Sequence, residues 1–177
     1  MKNKKERQEI KNKEIENHSP LFSSPSFPGK VVSINTSQEK GVPKKPVQRC
    51  KIHKEYGLVE DAHAGPWHRQ VSLLASESIK EACSTGIDFK PGDFAENITT
   101  SGIILTDLLI GTSISIGSDV LLEVTQIGKK CHARCAIYDQ VGDCIMPREG
   151  IFARVIRGGE VAVGDIVKVI DSGYSKF

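Results

Sequence analysis

Tryptophan occurs once and methionine twice in these 177 residues, and aromatic side chains make up only 6% of the chain. With a formal net charge of only +2, that scarcity leaves no basic stripe with interleaved aromatics, so nucleic acid is not an expected partner. No apolar run approaches the roughly 18–20 residues that a membrane span needs. The N-terminal MKNKKERQEIKNKEIENHSP is basic but has no apolar stretch behind it, so it does not read as a secretory signal. Also missing are GxGxxG, a Walker loop, HExxH and GxSxG, which leaves nucleotide-dependent chemistry and serine hydrolysis without residue support. These absences predict a cytoplasmic protein with neither membrane nor nucleic-acid partners. Five cysteines, an odd count in a compartment that keeps thiols reduced, argue against a disulfide framework.

What is present divides the chain in two. Residues 1–28 hold six Lys/Arg and four Asp/Glu, then the Pro/Ser-rich SPLFSSPSFPG, the composition of a disordered charged tail and linker. The remaining residues, 29–177, carry eighteen charges of each sign and have room for one domain with a real core. From Gly29 short strand-like runs alternate with turns. GKVVSINTS alternates apolar and polar residues from Val32 onward, and DVLLEVTQIG places Val120, Leu122 and Val124 on one face. IFARVIRGGEVAVGDIVKVI breaks into two or three strands at Gly158-Gly159 and Gly164-Asp165. VSLLASESIKEAC predicts a helix with Val71, Leu74, Ala75, Ile79 and Ala82 on one stripe, ending near Gly86. TDLLIG predicts a second helical turn capped by Thr106. The fold class expected is mostly β with one or two helices, in a β-barrel.

Three cysteines crowd into KKCHARCAIYDQVGDC, Lys129 to Cys144. A zinc site from Cys131, His132, Cys135 and Cys144 needs special geometry, because in an extended chain Cys131 and Cys135 lie about 13 Å apart. Cys50, Cys83 and Cys144 read as small buried hydrophobes. Cys131 is set apart by Lys129, Lys130, His132 and Arg134, cations that favour an exposed thiolate. Such a thiolate can bind a soft metal, carry a persulfide or act as a nucleophile, and residue chemistry alone leaves all three open.

Two further segments concentrate polar residues. DAHAGPWHRQV, Asp61 to Val71, reads either as a loop opening a helix, where backbone N–H groups and Arg69 suit an anion, or as a surface turn plugged by Trp67. GDFAENITTSG sets Glu96 and Asn97 beside two threonines. In MPREGIFARV, Glu149 and Arg154 fall on opposite faces of a strand, so at least one reads as surface charge.

Taken in order, GKVVSINTS, GLVEDAHAGPWHRQVSLL, FKPGDFAENITTSGI, VLLEVTQIGKKCHARC and GDCIMPREGIFARVIRGGEVAVGD resemble a stand-alone MOSC domain, the molybdenum cofactor sulfurase C-terminal domain family. The likeness runs from about Gly29 to Ile170. It implies a barrel of the pyruvate-kinase-barrel type and a cysteine that binds molybdenum or carries sulfur, here Cys131. It implies cofactor-binding roles for Asp61, His63 and Arg69, and for Glu96 and Asn97 in the family's Gly-Glu-Asn segment, where Ala95 replaces glycine. The cofactor's phosphate makes Arg69, Lys129, Lys130 and Arg134 candidate anchors. The implied ligand is the molybdenum cofactor, a molybdopterin, and the implied activity is reduction of N-hydroxylated compounds with electrons from a separate protein. The alternatives are a sulfur or cofactor carrier for molybdoenzymes and a zinc-stabilised interaction domain. A chain of this length leaves no room for a pyridoxal-phosphate desulfurase domain, so that cofactor is not expected.

Overall fold

The structure, a computed structural model, describes residues 28–84, 86–130, 138 and 144–170. Its strands are β1 (Gly29–Thr36), β2 (Lys45–Val47), β3 (Arg49–His53), β4 (Gly57–Leu58), β5 (Val71–Ala75), β6 (Ile98–Ser101), β7 (Ser113–Ile116), β8 (Val120–Ile127), β9 (Ile151–Arg157), β10 (Gly159–Ala162) and β11 (Ile166–Ile170). Helix α1 (Ser76–Cys83) follows β5, a 3-10 turn spans Leu105–Asp107, and the short helix α2 (Met146–Glu149) precedes β9. Seven strands close a barrel in the order β1-β11-β7-β8-β9-β5-β6 and back to β1. Every pairing in it is antiparallel except β5 with β6. Closure leaves no free edge within the ring. β2 adds to β1 outside it, and β10, β3 and β4 form a small flanking sheet.

Alternation puts the branched side chains inside. Val120, Leu122 and Val124 of β8, Ile114 and Ile116 of β7 and Val155 of β9 are all fully buried in one core. Each such side chain contributes roughly 1.5–3 kcal/mol by leaving water, an upper value because the unfolded chain already hides some surface. In β1 the expected alternation shifts at an irregularity between Val31 and Ser33, so Val31 and Ile34 join the core and Val32 faces solvent.

The stretch VSLLASESIKEAC is not one helix. Its first five residues are strand β5 and only Ser76–Cys83 is helical. All five strand residues are buried, because β5 is covered on both faces. Val71, Leu73 and Ala75 line the barrel interior, while Leu74 enters a second cluster with Ile79, Phe94, Cys144, Ile145, Met146 and Phe152. A strand buried on both faces loses its alternation, and a short apolar run then mimics a helical stripe. The TDLLIG turn exists as Leu105–Asp107, but Ile104 caps it rather than Thr106, without a side-chain hydrogen bond. Cys144 is buried as expected, whereas Cys50 and Cys83 are only partly buried. Arg154 pairs with Glu123 across β8 and β9, and Glu149 accepts a hydrogen bond from Ser78.

Candidate functional site

The loop from Asp61 to Gln70 runs into strand β5, not into a helix, so no helix dipole serves an anion there. A buried ion pair anchors it instead. Lys44 Nζ donates to both carboxylate oxygens of Asp61, at 2.9 and 2.8 Å, and both side chains are almost wholly buried. Asp61 also accepts from the backbone N–H groups of Ser37 and His63, at 3.1 and 3.0 Å. Burial alone would push its carboxyl up, but His63 and the Lys44 ammonium hold it well below the usual carboxylate range. Burial pulls the Lys44 ammonium down, against Asp61 and Glu96, which pull it up.

Further along, Trp67 Nε1 donates to the His63 carbonyl at 3.0 Å, folding the loop back on itself. The Arg69 guanidinium stacks over Trp67 at 4.6 Å and lies 5.6 Å from the Phe152 ring centroid. Its Nε is buried without a hydrogen-bond partner, and His63 Nδ1 lies 3.6 Å from Asp61 Oδ1, beyond hydrogen-bond length but close enough to act on its charge. His68 Nε2 meets Gln126 Oε1 at 3.0 Å, Gln126 Nε2 donates to the Gly128 carbonyl, and the Thr125 hydroxyl reaches the His68 carbonyl. The loop is thereby strapped to the end of β8. Gly128 has φ +63°, and a Cβ there would lie 2.3 Å from the Pro147 carbonyl oxygen, so glycine is required where the chain turns toward residue 131.

The third part is the 90–97 loop. Lys44 N–H donates to the Gly92 carbonyl, so the residue that holds Asp61 also braces this loop. Asn97 Oδ1 accepts from Ser72 N–H at 3.1 Å and Ser72 Oγ at 2.9 Å, and Asn97 Nδ2 donates to the Asn35 carbonyl. Glu96 is fully buried. Its Oε1 accepts from Gly92 N–H at 2.6 Å and Thr99 Oγ1 at 2.8 Å, while Oε2 has no partner. Burial pushes this carboxyl up, against those two hydrogen bonds, its own backbone N–H and the charge of Lys44. Ala95 stands at φ +60°, a left-handed conformation that glycine adopts without strain.

The residues named from sequence thus meet in part. Asp61, His63, Arg69, Glu96 and Asn97 lie on two loops braced by Lys44, a residue sequence reasoning missed. Lys129 is half-buried and acts on Lys44 through its charge, and Lys130 is exposed. Cys131, His132, Arg134 and Cys135 lie outside the described residues. Among the described residues no three His, Cys, Asp or Glu side chains gather as metal ligands. A cavity of about 340 Å³ opens between α1 and α2, lined by Phe89, Phe94, Ile145 and Glu149, and shares none of these site residues.

The fold built on this closed seven-stranded barrel is similar to those of several solved bacterial proteins. The YUAD protein from Bacillus subtilis matches with TM-score 0.69 at 20% identity, covering 81% of this chain and 96% of that one. YiiM from Geobacillus stearothermophilus gives 0.65 at 22%, covering 84% and 78%, and YiiM from Escherichia coli gives 0.62 at 16%, covering 82% and 70%. At these identities the likeness is one of fold. No curated protein matches the chain. Residues 60–168 match the MOSC domain, more than half of the sequence. The chain belongs to the MOSC domain family.

Proposed function

We propose that this protein binds a molybdenum cofactor, with the Cys131 thiolate as its ligand to the metal. The observation that carries the reading is a set of buried polar atoms without partners. Arg69 Nε and Glu96 Oε2 are two of the four such side-chain atoms among the described residues, one on each braced loop, and a third, His63 Nδ1, has only Asp61 Oδ1 near it at 3.6 Å. A buried polar group left unpaired costs roughly 1–3 kcal/mol, a cost that a bound ligand can recover. The donor set fits the group: a cationic guanidinium and Lys129 for a phosphate, and hydrogen-bonding side chains for a pterin ring.

When bound, the cofactor supplies redox chemistry at a metal that takes a soft thiolate. The chain's own residues do the rest. Arg69, packed against Trp67 and Phe152, keeps its guanidinium in a fixed plane, so its outer N–H groups can grip a phosphate without losing further side-chain freedom. Lys129 adds positive charge on the approach to residue 131. Lys44 and Asp61 hold the first loop in place, and Asn97 ties the second loop to Asn35 and Ser72. Trp67 lies against the guanidinium and limits water at its face.

Elemental analysis of protein made anaerobically in a cofactor-producing host tests this reading. The expected result is near-stoichiometric molybdenum, lost in Cys131→Ser with the fold intact. Molybdenum retained in that variant would remove Cys131 from the ligand role, and zinc in place of molybdenum would make the cysteine cluster structural. Turnover of an N-hydroxylated compound with an artificial electron donor would then separate a reductase from a carrier.

A further inference from the structure

We infer that Glu96 is a neutral carboxylic acid in the folded protein and that its Oε2 is a hydrogen-bond donor for an acceptor atom of the bound ligand, a ring carbonyl oxygen or ring nitrogen. The inference deepens the cofactor reading and rests on it for the ligand, but not for the state of the carboxyl.

The geometry is that of an acid, not a carboxylate. Oε1 accepts two hydrogen bonds, from Gly92 N–H and Thr99 Oγ1, which uses both lone pairs of a carbonyl oxygen. Oε2 makes no hydrogen bond to another residue, although the residue is fully buried, and the only further N–H acting on the carboxyl is that of Glu96 itself. An ionised carboxylate would leave a full charge on an oxygen with nothing to solvate it, and interiors avoid that by neutralising the group. Lys44 is the charged group that acts on Glu96, and its ammonium is committed to Asp61, donating to both of its oxygens. Asp61 and Lys129 act on that lysine in turn. The other groups facing Glu96 are neutral: Gly92 N–H from its own loop, its own backbone N–H, and Thr99 from β6, itself hydrogen-bonded to Asn35 of β1. One cation between two acids can balance one of them, and the short contacts go to Asp61. A proton on Oε2 leaves the buried set of Lys44, Asp61 and Glu96 electrically balanced. It also makes the one unused hydrogen-bonding position on Glu96 a donor, which suits an acceptor atom and not a metal ion.

The test compares the full chain with Glu96→Gln, whose amide copies the neutral acid. A carboxyl raised above its ordinary value of 4.5 gives stability that is complete below that pH and is lost as pH rises through the folded value. Wild-type protein without cofactor should therefore lose stability relative to Glu96→Gln as pH increases above the ordinary glutamate range. Parallel profiles for the two proteins would overturn the neutral-acid assignment. Should the variant fail to fold, carbon-13 NMR of glutamate-labelled wild type decides the same point. One side-chain carboxyl should keep its protonated shift beyond the range in which the others titrate, and its absence would overturn the assignment. For the ligand, molybdenum content is measured in wild type, Glu96→Gln and Glu96→Ala. Glutamine should hold the cofactor and alanine should lose it, whereas retention in alanine would remove the donor role. No molybdenum in any of the three would reject the cofactor reading and the ligand role with it, while the titrations judge the acid separately.

Discussion

Lys44 lies between Pro43 and Lys45 and resembles any surface lysine, yet it holds the centre of the site. Its ammonium pairs with Asp61 and its backbone N–H pairs with Gly92, so one residue fixes two loops. Removing one partner of a buried ion pair leaves the other charge uncompensated, at a cost of roughly 3–5 kcal/mol. Lys44→Met is therefore expected to lower unfolding stability by that amount, measured by urea denaturation at neutral pH. The loss should shrink in acid. Asp61, held below its ordinary value of 3.8, contributes stability that is present above that pH and fades as pH falls through the folded value. Neither sequence pattern nor spacing shows this pair, because 17 positions separate its members and only the packed fold takes both from water.

Among the elements, the 90–97 loop shows how a departure from a family pattern acquires a physical meaning. Ala95 stands where the resemblance drawn from sequence implies glycine, and its backbone is left-handed at φ +60°. That conformation costs an L-residue roughly 1–2 kcal/mol, partly offset because glycine loses about 0.4–1 kcal/mol more on ordering. Ala95→Gly is thus expected to raise stability by about 0.5–1 kcal/mol, read as a higher urea midpoint with an unchanged slope. The chain tolerates alanine there because the loop is overdetermined, with Lys44 N–H on Gly92, Gly92 N–H on Glu96 and Asn97 on Ser72. Element identity was legible wherever one face was wet. β8 alternates cleanly and reads as a strand, but β5, covered by the barrel core and by α1, α2 and Phe152, lost its alternation and read as helix.

At the level of the whole molecule, closure of seven strands makes the barrel one cooperative unit, with β1 paired to both β6 and β11 to complete it. Because β1 begins at Gly29, a chain lacking residues 1–27 is expected to keep its unfolding midpoint, checked by thermal denaturation beside the full chain. A drop of several degrees would show that the tail contributes to the fold, against the linker composition of SPLFSSPSFPG. Among the described residues no helix is long and apolar enough to cross a membrane.

The order of segments from GKVVSINTS to GEVAVGD identified the family through its resemblance, while hydrophobic period and turn residues, written locally in the chain, pointed to a mostly β barrel. The same sequence marked Asp61, His63, Arg69, Glu96 and Asn97 as a group, through their resemblance to family segments. Where each of them sits and what it bonds to was decided by tertiary structure alone. Burial without a partner, the commitment of Lys44 to Asp61 and the balance of charge around Glu96 arise only when distant segments exclude water together. Those are properties of the space between residues, and a linear sequence does not display that space.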